Sequence, residues 1–164
     1  MTPRITAEQL ESLPVTAVAE VPAEWLDDMG HMNVMWYTHL FSNGTVGLFD
    51  QIGMTREYFE SNMAGSFALE AHVRYLAEIR VGQRVTLRTR LLGRSAKRFH
   101  FMHFLMRDEG NVLSATGEMV GTHVDMRIRR SSPFPEVITT LYDALLAEHN
   151  QLGWQAPVCG SMRP

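Results

Sequence analysis

A cluster of chemically capable side chains stands directly before a long apolar stretch of the sequence. Residues 25–33 read Trp-Leu-Asp-Asp-Met-Gly-His-Met-Asn, which brings together the carboxylates of Asp27 and Asp28, the imidazole of His31 and the carboxamide of Asn33. A carboxylate can act as a general base or as a nucleophile on a carbonyl carbon, and the other two groups can orient water or a substrate. Either aspartate is equally well explained as the N-cap of a helix that follows.

The apolar stretch from Val34 to Ile52 predicts one long helix that ends at Gly53. Its apolar residues cover more than one stripe of a 3.6-residue helix, so we expect the helix to be largely buried. Its N-terminus would carry free N–H groups and partial positive charge, which can stabilise negative charge on a substrate oxygen. Tyr37 follows Asn33 by about one helical turn and therefore shares its face.

The rest of the chain predicts an antiparallel sheet with two further helices. Strands are expected at residues 14–21, 67–78, 85–91, 97–107 and 112–126, and short helices at 55–62 and 136–149. The last four strands are joined by short hairpins, which imply antiparallel pairing. One buried helix against such a sheet makes an α+β domain. We expect this domain to span residues 14–150, between a lead-in at 1–13 and a loose tail at 151–164.

Two more groups of polar residues lie on the predicted strands. Glu70, His72 and Arg74 occur at every second position, so they share one face of a strand. A buried Glu-x-His face is costly unless it is paired, which favours a site or an interface over a solvated surface. Lys97 and Arg98 form a small basic cluster at a strand end, which is either ordinary surface charge or a contact to ligand phosphates.

Composition and motif content argue against several classes of function. A net charge of −3 and an isoelectric point of about 6.1 give no basis for nucleic-acid binding. His100 and His103 would point to opposite faces of a strand, and the single cysteine, Cys159, offers no ligand pair, so no metal site is expected. The sequence holds no glycine-rich nucleotide motif, no signal core and no apolar run of the ~20 residues that span a membrane. We therefore expect a soluble, cytoplasmic protein.

The motif Asp27-x-x-Gly30-His31-Met32-Asn33-x-x-x-Tyr37, which opens the long helix, resembles the hotdog-fold acyl-CoA thioesterases of the 4-hydroxybenzoyl-CoA thioesterase type. The resemblance covers roughly residues 14–140 and extends through the segments 70–76, 97–100, 124–125 and 132–135. It is strongest toward the carnitine- and betaine-pathway subgroup, whose motif has Tyr-Asn in the place of Asp28-Met29.

This resemblance implies a hotdog fold, in which an antiparallel sheet wraps around one long central helix. It implies a homodimer that joins two sheets edge to edge, with two active sites at the subunit interface, and a homotetramer as a common further step. The implied substrate is a small coenzyme A thioester, with betainyl-CoA as one candidate. No cofactor is implied beyond the coenzyme A of the substrate itself.

The same resemblance assigns roles to individual residues. Asp27 takes the place of the family's catalytic aspartate, as base or nucleophile, beside His31 and Asn33. The thioester carbonyl would lie over the backbone N–H groups of residues 30–33. The remaining assignments are Gly30, Trp36, Tyr37, Glu70, His72 and Tyr75 for the substrate, and Arg74, Lys97 and Arg98 for the phosphates of coenzyme A.

The aromatic residues near the motif allow two interpretations. Trp25, Trp36, Tyr37 and Tyr75 either pack in the core or hold a quaternary ammonium group by cation–π attraction, which would suit a betainyl thioester. Two other functions also stay open for a sequence of this kind. One is a module that binds acyl-CoA without turnover, and the other is a dehydratase on the hotdog fold.

Overall fold

The predicted long helix is α2, Val34–Gln51, in a computed structural model that describes residues 5–164. Asn33 caps its start, and Gly53, with a φ of +78°, follows its C-cap residue Ile52. The other elements are α1 (Ala7–Glu11), β1 (Val15–Glu20), a 3-10 helix (Ala23–Trp25), α3 (Arg56–Asn62), β2 (Ala64–Tyr75), β3 (Arg84–Arg94), β4 (Arg98–Arg107), β5 (Val112–Asp125), β6 (Arg130–Ser131) and α4 (Glu136–Asn150). The predicted helices and strands are therefore present, with their ends shifted by a few residues.

The strands form one antiparallel sheet in the order β1-β3-β4-β5-β2, and β6 pairs with the end of β5. The predicted α+β class is confirmed, but the predicted hairpin between the second and third strands is wrong, because β2 pairs with β5. The connection from β2 to β3 crosses one end of the sheet, where the N–H of Leu76 donates to the carbonyl of Ser114 at 2.8 Å. Ile79 in this connection is fully buried. β2 is therefore an edge strand of the chain.

Helix α2 packs on one face of the sheet, which we call the helix face. Leu40 of α2 meets Leu87 of β3 and Leu105 of β4 in a shared apolar core. The expectation of a largely buried helix is wrong, since Val34 and Met35 are 58% and 60% exposed. The sheet of a single chain covers only one side of α2, so the opposite side faces outward.

Two glycines in the middle of α2 let the helix approach the sheet closely. A Cβ atom at Gly44 would lie 2.0 Å from Cδ2 of Leu87, and one at Gly47 would lie 2.0 Å from the carbonyl oxygen of Thr16. Glycine weakens a helix interior by roughly 1 kcal/mol relative to alanine. Here that cost is offset by close packing against β1 and β3.

The opposite side of the sheet, which we call the outer face, is covered by both ends of the described chain. Leu10 and Leu13, in and just after α1, pack with Met102 and Phe104 of β4. Trp154, beyond α4, meets the ring of Phe104 edge-on with 5.7 Å between the ring centroids. The lead-in expected at residues 1–13 contains the short helix α1, and its residues 1–4 lie outside the described residues.

The tail is not loose as expected, because it packs along the outer face. Met162 is 4% exposed, and the N–H of Cys159 donates to Oε2 of Glu118 at 2.7 Å. Arg90 donates to the carbonyl of Trp154 at 2.7 Å, and its guanidinium lies 4.3 Å from the centre of that indole. Buried charged groups on the sheet need such partners, and the tail supplies them. The domain boundaries at residues 14 and 150 stay a prediction.

Within residues 5–164, no helix is both long enough and apolar enough to cross a membrane.

Candidate active site

Asp27 stands at the beginning of a tight turn that is closed by His31. The N–H of Asp27 donates to the carbonyl of His31 at 2.9 Å, and the N–H of Gly30 donates to the carbonyl of Asp27 at 3.1 Å. Gly30 has a φ of +84°, a conformation that favours glycine. One oxygen of the Asp27 carboxylate, Oδ1, accepts from the N–H of Met29 at 2.9 Å. The turn therefore holds the carboxylate in a defined position.

The second carboxylate oxygen of Asp27 faces the imidazole of His31. Oδ2 lies 3.3 Å from Nδ1 of His31, and the two side chains are 26% and 37% exposed. A carboxylate that is partly exposed and paired with an imidazole can take a proton from water or attack a carbonyl carbon. Asp28 is exposed beside it.

Asn33, not either aspartate, caps helix α2. Its side-chain oxygen accepts from the N–H of Met35 at 3.0 Å. The N-cap interpretation of Asp27 and Asp28 is therefore wrong, because the turn inserts several residues between these carboxylates and the first turn of the helix. Asn33 has a structural task at the site that is independent of any contact to substrate.

The backbone N–H groups of residues 30–33 are all engaged within the chain. Beyond the bond from Gly30, the N–H of Met32 donates to Ile79 at 2.7 Å and that of Asn33 donates to Trp25 at 2.9 Å. The N–H of His31 makes a long bond of 3.4 Å to Asp27 Oδ1. These four N–H groups are therefore not free to bind the carbonyl of a thioester, and the expected position of that carbonyl over them is wrong. The N–H of Val34 has no partner among residues 5–164 and points from the first position of α2.

Tyr37 and Tyr75 meet near the same end of α2. Their rings pack edge-on with centroids 5.0 Å apart, and Tyr37 is 4% exposed whereas Tyr75 is 51% exposed. Burial raises the pKa of the Tyr37 hydroxyl, and the nearby acidic groups of Tyr75, Glu78 and Asp27 raise it further. The structure therefore brings these residues into one neighbourhood. Glu78 was missed from the sequence, where it marks only the end of a predicted strand.

Trp25 and Trp36 form a stacked pair instead of an open aromatic cage. Their ring centroids are 4.6 Å apart with the planes tilted by 10°. His39 lies edge-on to both rings. Because each indole covers one face of the other, a cation has no place between them. The interpretation that these two residues pack against the core fits this arrangement.

Glu70, His72 and Arg74 lie on the outer face, whereas Tyr75 lies on the helix face. Successive residues of β2 point to opposite faces, and His72 is paired directly opposite Glu118 in the register with β5. In a single chain these three side chains are therefore not brought together with Tyr75 and Asp27. Glu70 and His72 are exposed along the sheet edge.

Lys97 and Arg98 lie at the far end of the sheet from Tyr75. Arg98 pairs with Thr122 of β5, and Tyr75 pairs with Ala115, which corresponds to roughly 23 Å along an extended strand. The neighbouring Arg94 is held in a two-pronged ion pair by Asp143, with Nε 2.6 Å from Oδ1. Lys97 and Arg98 are exposed, and Arg74 lies near the opposite end of β5.

Two buried histidines of β4 serve different faces of the sheet, as their spacing predicts. On the outer face, Nε2 of His100 lies 2.8 Å from Oε1 of Glu118. On the helix face, Nδ1 of His103 lies 2.7 Å from the hydroxyl of Thr89, and its Nε2 lies 3.1 Å from that of Thr45. Complete burial lowers the pKa of His103 to about 3, so the ring is neutral. In the described part of the chain, no three His, Cys, Asp or Glu side chains are placed to hold a metal ion.

A groove of about 410 Å³ lies between α2, α3 and strands β2, β4 and β5, and we call it the α2 groove. None of the described residues that line it is charged. Its wall includes Thr38, Ser42 and Phe49 of α2, Phe59 of α3, and Phe99 and Phe101 of β4. This groove was not predicted from the sequence, because each of its lining residues is by itself an ordinary helix or strand residue.

Comparison with known proteins places this architecture in a family. The sequence model of the thioesterase-like superfamily matches residues 21–141. A betainyl-CoA thioesterase from Pseudomonas aeruginosa is 33% identical over 129 residues, which are 79% of this chain and 81% of that protein. A Staphylococcus aureus protein solved in complex with CoA superposes with a TM-score of 0.81 over 93% of this chain and 96% of its own, at 22% identity.

A second relative shows the same similarity within a longer protein. The L-carnitine dehydrogenase/betainyl-CoA thioesterase of Agrobacterium fabrum is 33% identical over 130 residues. The match takes in 79% of this chain but only 26% of that relative, so the chain spans about a quarter of its length. The predicted hotdog fold and thioesterase resemblance are confirmed by these matches. The chain belongs to the thioesterase-like superfamily.

Proposed function

We propose that this protein hydrolyses the thioester of a small acyl-CoA, with Asp27 as the catalytic carboxylate. The observation that carries the proposal is the geometry of Asp27, whose Oδ1 is held by a backbone N–H while Oδ2 faces His31 at 3.3 Å. Thioesterase relatives of two kinds, one a separate betainyl-CoA thioesterase, support the reaction class. The CoA-bound structure with the same fold supports a coenzyme A thioester as substrate.

The free N–H of Val34 is the proposed donor to the thioester oxygen. It stands at the positive end of the α2 dipole, where a developing oxyanion is stabilised. This replaces the four N–H groups of residues 30–33, which are engaged within the chain.

Two chemical routes fit a carboxylate at this position. In the first, Asp27 takes a proton from water as the water oxygen bonds to the acyl carbon. The carbon–sulfur bond then breaks, and Asp27 returns the proton to the leaving sulfur, which releases the thiol of coenzyme A. In the second, Asp27 itself bonds to the acyl carbon and expels the thiolate, and water then hydrolyses the mixed anhydride. Both routes end in a free acid and coenzyme A, and neither needs a metal or another cofactor.

The remaining assignments belong to the same proposal. His31 orients the carboxylate or water, Asn33 presents the helix start, and Gly30, Trp36, Tyr37 and Tyr75 border the reacting group. Glu70 and His72 lie on an exposed edge strand, so they are proposed to reach a site only through a second copy of the chain. Arg74, Lys97 and Arg98 remain the candidates for coenzyme A phosphates.

An edge-to-edge homodimer through β2 is part of this proposal, with a homotetramer as a further step. The strand presents unpaired backbone groups along one side and carries exposed Phe67 and Leu69. Such an edge is a natural place for a second sheet to add. A cytoplasmic location is likewise retained as a proposal.

Thiol release from a panel of acyl-CoA thioesters tests the proposed reaction. The panel contains betainyl, acetyl, butyryl, octanoyl and benzoyl thioesters, and the free thiol is measured with a disulfide reagent. We expect turnover of at least one thioester above the uncatalysed rate. Saturable binding of acyl-CoA without release of thiol from any of them would instead favour a binding module.

A further inference from the structure

We propose that the α2 groove binds the acyl group of the substrate and selects an uncharged, extended acyl chain over a cationic one. This inference rests on the proposed thioesterase function and narrows its substrate class. It follows from the position of the groove along α2 and from the chemistry of its wall.

The lining of the groove begins at Thr38, one helical turn from the proposed carbonyl position at Val34. Val34, Thr38 and Ser42 are spaced four residues apart on α2, so they form one stripe along the helix surface. The N–H of Val34 lies at the head of this stripe, and Thr38 and Ser42 line the groove. Lining residues continue to Phe49, about 16 Å along the helix axis from Thr38. An acyl group whose carbonyl meets Val34 can therefore extend down the stripe.

The wall of the groove is suited to an apolar chain. Phe49 packs edge-on against Phe99 and Phe59, with centroids 5.2 and 6.0 Å apart. Phe101 stacks beside Phe99 at 5.8 Å. The polar groups of the wall are hydroxyls, and that of Thr45 is already bonded to the carbonyl of Phe41 at 2.9 Å. A methylene chain gains by leaving water for such a surface.

The groove offers a quaternary ammonium group aromatic rings but no opposite charge among the described residues. No carboxylate lines the groove among the described residues, and a cation buried there would lose its hydration without an opposite charge. The aromatic side chains that line the groove are phenylalanines, which attract a cation less strongly than tryptophan does, and Phe49 already packs edge-on against Phe59 and Phe99. The groove is thus expected to reject a trimethylammonium head.

The decisive comparison uses two substrates that differ only in charge. Betainyl-CoA and tert-butylacetyl-CoA have the same shape at the acyl end, but the first carries a quaternary nitrogen where the second carries a carbon. We expect kcat/KM for tert-butylacetyl-CoA to exceed that for betainyl-CoA by at least tenfold, and that for octanoyl-CoA to be higher than that for acetyl-CoA. Similar kcat/KM values for the two thioesters, or a preference for betainyl-CoA, overturn the inference.

A pair of variants locates the selectivity in the groove. Ser42→Phe fills the groove from an exposed position on α2, and Asn43→Phe places the same ring one residue further, outside the lining. Serine, asparagine and phenylalanine have similar helix propensities, so both variants are matched in that respect. We expect Ser42→Phe to lower the ratio of octanoyl to acetyl kcat/KM at least tenfold and Asn43→Phe to leave it unchanged.

Other outcomes separate this inference from the proposed reaction. Thr38→Phe makes the same test if Ser42→Phe does not fold. If Ser42→Phe folds and keeps the parent selectivity, the inference is overturned. Dissociation of that variant in sedimentation would then show that a second copy of the chain fills the groove. If no thioester is hydrolysed, the proposed function fails, and titration with the thioether analogues of the matched pair decides the groove by itself. Tighter binding of the uncharged analogue supports the groove, and equal or weaker binding overturns it.

Discussion

The carboxylate of Asp27 and the imidazole of His31 face each other across a turn of five residues, with 3.3 Å between Oδ2 and Nδ1. Oδ1 of the same carboxylate accepts from the N–H of Met29 at 2.9 Å. One carboxylate oxygen is therefore fixed by the backbone while the other is directed at a side chain that can hold or donate a proton. This arrangement places the proposed catalytic carboxylate just before α2 without making it the helix cap.

The cap of α2 contributes stability that can be separated from chemistry. Because Asn33 Oδ1 accepts from Met35 N–H at 3.0 Å, Asn33→Ala leaves that N–H without its partner. We expect a loss of about 1 kcal/mol in the free energy of unfolding, measured by urea denaturation. Asn33→Asp keeps an equivalent cap and should retain the stability. Equal stability of Asn33→Ala and the parent would contradict the role of Asn33 as N-cap.

The close approach of α2 to β1 predicts that a small side chain is harmful at Gly47. A Cβ there would lie 2.0 Å from the carbonyl oxygen of Thr16, which belongs to the backbone and cannot move cheaply. We expect Gly47→Ala to destabilise the protein by about 1–3 kcal/mol, although alanine favours a helix. Gly153→Ala is the matched control, since nothing lies within 4 Å of a Cβ at that position. A more stable Gly47→Ala variant would show that the helix stands off from the sheet.

The buried pair of His100 and Glu118 is expected to be costly to break and cheap to replace. Oε1 of Glu118 lies 2.8 Å from His100, and Oε2 accepts from the tail at Cys159. His100→Ala leaves the carboxylate partly unpaired, for which we expect a loss of about 3–5 kcal/mol in chemical denaturation. The double variant His100→Leu with Glu118→Met removes both polar groups and should be less damaged than His100→Ala. A double variant that is less stable than His100→Ala would contradict this expectation, because the pair would then stabilise the fold more than apolar side chains in the same positions.

The neutral His103 predicts that acid weakens the fold. Its pKa is lowered to about 3 by burial against an ordinary value of 6.5, so between these two pH values the unfolded chain binds a proton that the folded chain does not. Stability should therefore fall as the pH drops from about 6.5 toward 3, with a slope of up to about 1.4 kcal/mol per pH unit from this group. Burial also lowers the pKa of His149, to about 4, and that of His123, which adds to the same trend.

Denaturation of His103→Gln across that pH range checks this origin. We expect a lower stability at neutral pH, because the hydrogen bonds to Thr45 and Thr89 are altered, and a shallower decline on acidification. His72→Gln, which changes an exposed histidine, serves as the control and should keep the parent slope. An unchanged slope in His103→Gln would mean that other groups cause the acid sensitivity.

Much of the fold could be predicted from the sequence, because the positions of helices and strands depend largely on local patterns of apolar and turn residues. The apolar run after Asn33 predicted α2. Gly82 and Gly110, which both have positive φ, lie in turns between strands. The pairing of β2 with β5 could not be obtained in this way, since it joins residues far apart in the sequence. A short connection with turn residues between β2 and β3 is compatible both with a hairpin and with two strands that are not neighbours in the sheet.

The site shows the same division between local and distant information. Spacing and resemblance predicted that Asp27, His31 and Asn33 lie together. In the structure Asp27 and His31 belong to one turn, and Asn33 is the residue directly before α2. Which residue caps the helix depended on the backbone path, because aspartate and asparagine are similarly good caps. The packed tail was missed because its apolar residues, such as Trp154 and Met162, follow no regular period.

The most direct test of the central claim is the turnover of Asp27→Asn beside that of Asp28→Asn, using the best thioester of the panel. Asparagine keeps an oxygen for the N–H of Met29 but cannot act as a base or a nucleophilic carboxylate. We predict a loss in kcat/KM of roughly a hundred- to ten-thousand-fold for Asp27→Asn, while the exposed Asp28→Asn stays near the parent. Near-normal turnover of a folded Asp27→Asn protein would contradict the assignment of Asp27 as the catalytic carboxylate.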